Sequence, residues 1–251
     1  MPVALLTCQN LNKSYESDGR AVDVIRNVSL EIFPGDFTVL MGSSGSGKSS
    51  LLYLLSGLES ISSGSITFDG QDITRWSEEQ LSLLRRRGMG FVFQAFNLVP
   101  NLTLLENLLA AGYLTDAGKA DIEQRAQKLL SDMGISELAN RLPAQISGGE
   151  QQRAAIARAL INEPKILFAD EPTGALNSAS GTRVLDQFSA LAKDNQTIFM
   201  VTHDLKAACR GKRILFLQDG ELKGEFRFEA GMDSLEQREE SLFSWLSAQG
   251  W

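Results

Sequence analysis

The chain has 251 residues, 43 % of them hydrophobic and 22 % charged, enough to bury a full core as one large domain or as one domain with an embedded subdomain. Lys and Arg number 24 and Asp and Glu 31, a formal charge of −7, which argues against a broad electropositive surface for DNA or RNA and makes any anion site a local feature. Cys8 and Cys209 form no metal-ligand spacing and read as reduced, buried thiols of a cytosolic protein. The apolar run Val3 to Leu6 lacks a basic flank and a small-residue cleavage site, so no signal peptide is expected. No run approaches about 18 apolar residues, so no membrane span is expected either.

Residues 3 to 41 read as β-rich, with strands over Leu5 to Leu11 and Val28 to Phe33 and turns at Gly19 and Pro34-Gly35. The apolar strand Phe37 to Met41 leads into Gly42-Ser43-Ser44-Gly45-Ser46-Gly47-Lys48-Ser49, a GxxxxGKS phosphate-binding loop. A helix from about Gly47 to Ser56 follows, its apolar face at Leu51, Leu52, Leu54 and Leu55. The glycines let successive N–H groups point at the β- and γ-phosphates from the helix start. Lys48 adds a mobile positive charge, Ser49 offers its hydroxyl to Mg²⁺, and the nucleotide-binding stretch runs on through Ser50. A strand over Ser65 to Phe68 ends at the turn Asp69-Gly70. From 76 to 161 the pattern becomes helical, at Leu81 and Leu84 and again at Ile122, Ala126, Leu129, Leu130 and Met133, and reads as a helical insertion.

Late in that insertion, Ile146-Ser147-Gly148-Gly149-Glu150 opens a helix that runs through Gln152, Arg153, Ile156, Ala157 and Leu160. An S-x-x-E capping box accounts for Ser147 and Glu150. It does not account for Gly148-Gly149, since each glycine in a helix costs up to about 1 kcal/mol relative to alanine. Two in succession imply a close backbone approach, and the bare N–H groups of a helix start suit a phosphate. An α/β pattern then returns: strand Lys165 to Ala169, a helix over about Gly181 to Ala192, strand Thr197 to Val201, a short helix, strand Arg213 to Leu217 and the hairpin turn Asp219-Gly220. The unbroken apolar stretches Ile166 to Ala169 and Ile198 to Val201 fit a parallel sheet covered on both faces. Asp170-Glu171 end the first of these, where open α/β sheets place their ligands; Asp170 is assigned to the Mg²⁺ shell and Glu171 to the general base that polarises water. His203, the single histidine, follows the other strand at the same sheet edge, within reach of a γ-phosphate. Leu235, Leu242, Phe243, Trp245 and Leu246 mark an amphipathic helix expected to pack on the domain and to start at a capping box, Ser234-x-x-Gln237.

Across nearly all of residues 4 to 230 the chain resembles the nucleotide-binding subunit of an ATP-binding cassette (ABC) transporter. The resemblance implies an α/β P-loop NTPase of the ABC-ATPase fold: a RecA-like, mostly parallel core sheet, an antiparallel β subdomain and an inserted helical signature subdomain. Residues 1–251 would form a single nucleotide-binding domain, with the helical subdomain within about 76–161 and the C-terminal amphipathic helix at about 232–251. By resemblance, Tyr15 stacks on adenine and Gln94, in Phe91-Val92-Phe93-Gln94, senses Mg²⁺ and the γ-phosphate. Asn97 to Asn107 is similar to the segment that receives a membrane subunit's coupling helix. Ser147 to Glu150 matches the signature, Gly174-Ala175-Leu176-Asn177 the D-loop, and His203 the switch histidine. Three positions depart from the common pattern: Ile146 for Leu, Glu150 for Gln, and Asn177 for Asp. The last keeps a hydrogen-bonding side chain but loses a charge, which bears on communication between two ATP sites.

Phe91 to Leu98 and Ala169 to Leu176 most resemble the branch containing macrolide exporters, lipoprotein-release ATPases, a cell-division ATPase and bacitracin or lantibiotic resistance pumps. The segment Thr173 to Asn177 and the aromatic-rich C-terminal helix resemble its antimicrobial-peptide members. The implied protein is peripheral on the cytoplasmic face of the membrane, uses ATP and Mg²⁺, and dimerises head to tail with a second copy around two ATP molecules. It powers an integral membrane permease made as a separate polypeptide, with no nucleic-acid partner. The alternative within the family is a signalling or cell-division ATPase that moves no cargo. A family member acting on nucleic acid or ribosomes would be expected to carry a coiled-coil or zinc insertion or a second cassette. Cargo specificity would lie in the permease and is not legible here.

Overall fold

Phe37–Met41 is buried at every position in the computed structural model, which describes residues 3–17, 20–229, 232 and 234–251; the expected turn at Gly19 lies outside the described residues. In chain order the elements are β1 (Leu6–Ser17), β2 (Arg20–Ile32), β3 (Phe37–Met41), α1 (Lys48–Leu55), β4 (Ser63–Phe68), β5 (Gln71–Asp72), α2 (Glu78–Gly88), β6 (Met89–Phe93), α3 (Leu104–Gly112), α4 (Lys119–Asp132), α5 (Gly148–Leu160), β7 (Ile166–Asp170), α6 (Ser178–Lys193), β8 (Thr197–Val201), α7 (Leu205–Ala208), β9 (Arg213–Gln218), β10 (Glu221–Arg227) and α8 (Leu235–Ala248). They gather into two compact units, Met1–Leu81 with Ala192–Trp251 and Ser82–Leu191.

In the first unit one sheet runs β2-β1-β4-β5, all antiparallel. β1 and β2 extend beyond the apolar runs that announce them because a bulge carries the ladder across polar residues. Asn10 and Asn27 take left-handed backbone there, φ 49° and 50°, and Asn10 Nδ2 donates to Asn27 Oδ1 at 2.8 Å. The remaining strands of this unit follow the order β10-β9-β3-β8, with β3 parallel to both β8 and β9 and β10 antiparallel to β9. β8, like β3, is buried throughout, as its unbroken apolar run requires. The turns Asp69-Gly70 and Asp219-Gly220 hold both residues at positive φ, the geometry that fits the right-handed twist of the strands they join.

α8 packs as expected but starts differently. Leu242 and Leu246 are wholly buried, and the Trp245 ring lies 5.4 Å from Phe226 and 6.3 Å from Phe216, while Phe243 stays half exposed. Ser234 is the N-cap residue, yet its side chain makes no cap hydrogen bond, so the capping box with Gln237 does not form. Arg238 holds the entering chain instead: its backbone N–H donates to the Ser234 carbonyl at 3.1 Å, and its guanidinium donates to the carbonyls of Met232 and Cys209. Both cysteines are buried and reduced; burial pushes the Cys8 thiol up to about 11 and the Cys209 thiol up to about 12.

In the second unit β6 and β7 pair in parallel from Met89↔Ile166 to Phe93↔Asp170. β6 therefore interrupts the stretch read as a helical insertion. Its side chains are secured by aromatic stacking, Phe91 on Phe168 at 5.7 Å and on Phe93 at 6.0 Å. α3 begins at a capping box of Thr103 with Glu106, and α4 turns Ile122, Ala126 and Leu130 inward, with Leu129 at the margin. α5 buries Ala154 to Ala157. Among the described residues no helix is long and apolar enough to cross a membrane.

Candidate functional site

The chain leaves β3 at Met41 and curls back on itself before α1. Gly47 caps that helix with φ 98°, and a Cβ there would stand 2.8 Å from the Val24 carbonyl oxygen, so both the backbone and the space require glycine. A glycine in that place offers no capping side chain, and a helix start presents its first N–H groups to whatever anion approaches. Lys48 is buried, and its Nζ donates to the carbonyls of Gly42 and Ser43, each at 2.9 Å, so the loop wraps the ammonium. Ser46 N–H donates to the Ser43 carbonyl, and the Ser46 carbonyl accepts from Gly220 N–H, both at 3.2 Å, which braces the loop on the β9–β10 turn. Ser43, Ser44 and Gly45 are exposed, Ser49 and Ser50 half-buried. Donors, a cation and a helix start converge here, the chemistry of a phosphate site.

Tyr15 and His203 belong to the same unit. Tyr15 stands on β1, 37 % exposed rather than packed in the core. Its hydroxyl donates to Glu59 Oε2 at 2.7 Å, Ser50 also reaches the phenol, and Lys13 Nζ sits 4.8 Å from the ring centroid. Burial and then Glu59 hold the phenol above its usual range. One face of the ring is thus occupied by a cation. β8 pairs with β3 at Leu40↔Val201, so the phosphate loop and exposed His203 leave adjacent strands at one edge. Asp204 next to it caps α7, accepting from Lys206 N–H at 2.6 Å and Ala207 N–H at 3.1 Å.

The other predicted residues lie in the second unit. The register Phe93↔Asp170 puts Gln94 and Glu171 one step beyond the last pair of β6 and β7. Asp170 is mostly buried; Glu171 takes φ 47°, a left-handed backbone that costs a non-glycine residue about 1–3 kcal/mol and marks strain held at this point. Gln94 is exposed and lies against Gly174, where a Cβ would meet its Nε2 at 2.9 Å.

At the start of α5 the Ser147 capping box forms: the Ser147 hydroxyl and N–H both donate to Glu150 Oε2 at 2.7 Å, and Glu150 N–H donates to Ser147 Oγ at 3.4 Å. Ser147 thereby holds the Glu150 carboxyl below its usual range. Gly149 has a packing reason of its own, since a Cβ there would come within 2.9 Å of Ser180 Cβ on α6; at Gly148 the nearest atoms, on Leu176 and Phe96, are 3.3 and 3.4 Å away. Asn177 caps α6, its Oδ1 accepting from Ser180 N–H at 2.9 Å. Asn177→Ala is expected to cost about 1 kcal/mol and to lower Tm by about 2–4 °C, whereas Asn177→Asp, an equally good cap, leaves Tm unchanged in a thermal melt. Equal Tm for all three chains would refute the cap.

Two side chains on α5 escaped the sequence reading. Gln152 is wholly buried, its Nε2 donating to the carbonyls of Phe93 at 3.1 Å and Pro172 at 2.6 Å. Arg158 donates to the carbonyl of Phe96 at 3.0 Å and to that of Asn97, two residues at φ 59° and 51°. Burial lowers its pKa from the usual arginine range. The available signal for Gln152 was a lone amide on the apolar face that also carries Ala155 and Ile156.

Residues 25–174 match the family model of the ABC transporter. The chain belongs to the ABC transporter family. It is 40 % identical over 220 residues to the macrolide export ATP-binding/permease protein MacB of Neisseria meningitidis, a match covering 88 % of this chain and 34 % of that protein. The chain thus spans about a third of the length of the MacB relatives it matches. Against the bacitracin export ATP-binding protein BceA of Halalkalibacterium halodurans it is 39 % identical over 221 residues, covering 88 % of this chain and 87 % of the relative. The dimeric structure of the ATP-binding cassette MJ0796 in a post-hydrolysis state, bound to ADP and Pi, is similar with a TM-score of 0.82 and 36 % identity, over 90 % of this chain and 99 % of that one. The fold is that of the ABC ATPases, and MacB and BceA belong to the branch that Phe91 to Leu98 and Ala169 to Leu176 resemble.

Proposed function

We propose that this chain is the ATP-hydrolysing subunit of a membrane ABC transporter, closing as a head-to-tail dimer on two ATP molecules to drive a separate permease. The observation that carries the reading is the presence in one chain of two helix starts suited to phosphate: α1 with Lys48, and α5 opened by Ser147. Residues 1–251 act as a single nucleotide-binding domain, with the helical subdomain inside about 76–161 and the C-terminal helix at about 232–251. Gly42 to Ser50 hold the β- and γ-phosphates, Tyr15 stacks on adenine through the face that Lys13 leaves open, and His203 holds the γ-phosphate. Glu171 takes a proton from the attacking water. Ser147 to Glu150 and Asn177 act on the nucleotide held by the partner copy.

Ser49, Gln94 and Asp170 offer oxygen donors only, a set that fits Mg²⁺, which binds through one or two protein groups together with substrate phosphates. Among the described residues no cluster of three or more His, Cys, Asp or Glu could hold a metal unaided, in keeping with an ion that arrives with ATP. Bound there, Mg²⁺ would neutralise charge on the phosphate oxygens. A chain working this way is peripheral, at the cytoplasmic face of the membrane. BceA and MacB are named for different exported compounds, bacitracin and macrolides, so cassette similarity leaves the cargo open. We favour export of, or resistance to, antimicrobial peptides because Thr173 to Asn177 resembles those members and the BceA match extends over most of both chains, as the match to the lipoprotein-releasing ATP-binding protein LolD of Aquifex aeolicus also does.

The test mixes a Ser147→Arg chain with a Lys48→Ala chain. A heterodimer has one composite site with both lesions and one with neither, so hydrolysis should reappear in the mixture above that of either parent. Crosslinking from position 147 should reach an ATP analogue bound at the partner's phosphate loop. A mixture no more active than its parents, together with failure of that crosslink, would refute the trans arrangement.

A further inference from the structure

α5 carries one buried amide that reaches two loops at once. Gln152 Nε2 donates to the Phe93 carbonyl, immediately before Gln94, and to the Pro172 carbonyl, immediately after Glu171. β6 and β7 are paired as far as Phe93↔Asp170, so the amide bridges the two chains where they part beyond their last ladder pair. The same helix begins at Ser147, little more than one turn earlier, and a helix transmits an axial displacement with little loss over that length. Farther along, Arg158 fastens the carbonyls of Phe96 and Asn97, so the loop around Gln94 is tied to α5 at both ends. Packing alone does not ask for an amide here: Gln152 Oε1 is buried without a hydrogen-bond partner, an orphan that an apolar side chain would avoid.

We infer that Gln152 is a positioning residue that ties the Ser147 end of α5 to the backbones bearing Gln94 and Glu171, so that engagement of Ser147 by the partner's nucleotide sets the placement of those two groups. The inference rests on the ATPase reading. It makes hydrolysis in one protomer answer to occupancy of the signature in the same protomer, a two-site linkage through a single rigid element.

Gln152→Met, close in volume, removes both donors. In the full chain kcat should fall about tenfold or more, because misplacing a reacting group by about 1 Å can cost as much as about 10²-fold. KM for ATP and the affinity for a fluorescent ATP analogue should change less than about twofold, and Tm should stay within about 4 °C of wild type. Added to Glu171→Gln, the substitution should still allow an ATP-bound dimer. Gln152→Asn, a methylene too short to span both carbonyls, should give the same selective loss and serves if the Met variant folds poorly. An unchanged kcat in either folded variant would overturn the inference, as would a rise in KM at constant kcat, which would place Gln152 in binding. The ATPase reading fails separately, if the wild-type chain releases no phosphate from ATP; the comparison among Gln152 variants is made against a wild type that does.

Discussion

Replacing Lys48 with Ala is expected to abolish ATP binding and turnover together. The ammonium sits inside the loop, bonded to the Gly42 and Ser43 carbonyls at 2.9 Å each, at a helix start capped by a glycine. A triphosphate arriving there exchanges those carbonyls for phosphate oxygens, and the N–H groups alone cannot balance its charge. Loss of one preorganised charge donor of this kind costs roughly 10²–10³ in rate, and here it costs binding as well. The checks are titration with a fluorescent ATP analogue and a phosphate-release assay, with a thermal melt to show that the variant is folded. Saturable binding at wild-type affinity would reject the phosphate-loop assignment.

Glu171→Gln should behave in the opposite way, with binding retained and chemistry lost. The substitution keeps shape and hydrogen-bonding capacity but not the basicity that takes a proton from water, a change worth about 10² or more in rate. Closure and release are separate steps in a nucleotide-gated dimer, so arresting hydrolysis should trap the closed species. Size exclusion with light scattering should report a monomer without nucleotide and a stable dimer with ATP. The left-handed backbone at Glu171 tells which replacements to avoid: a β-branched residue at φ 47° would add strain and confound the test, whereas Gln adds little beyond what Glu already bears. A Glu171→Gln chain that hydrolyses ATP normally and stays monomeric would remove this residue from the role of base.

β3, β8 and the phosphate loop were legible because continuous apolar strands and a loop whose glycines face the backbone leave local signatures. The Ser147 box was legible because it closes within one helical turn. β6 was not, since Met89 to Phe93 is a short apolar run whose strand character comes from β7, distant in sequence, and from Phe168 stacked on Phe91. At Ser234 the residue pattern for a box is present but Arg238 supplies the anchoring bonds. Within the candidate site, the assigned residues are those whose chemistry shows in their type, while Gln152 and Arg158, which act on backbone carbonyls of other loops, depend on three-dimensional proximity. The close approach that the paired glycines imply is made at Gly149 by Ser180.

That proximity sets the beginnings of α5 and α6 side by side, and their dipoles with them. Each helix start is equivalent to roughly half a positive elementary charge. On α5 the ionised Glu150 offsets it; on α6 the cap is the neutral amide of Asn177, so no cap charge cancels the field there. Counted together with Glu150 the two starts sum to about zero, so what remains attractive to anions, on a protein whose formal charge is −7, is the start of α6 itself. A carboxylate at position 177 would invert its sign while serving equally well as a cap, which separates the electrical consequence of the residue from its structural one. The difference would be felt over about 8 Å at physiological ionic strength and about 3 Å at 1 M salt. Encounter rates with an anionic partner that differ between the wild-type chain and the Asn177→Asp variant should therefore converge as salt is added.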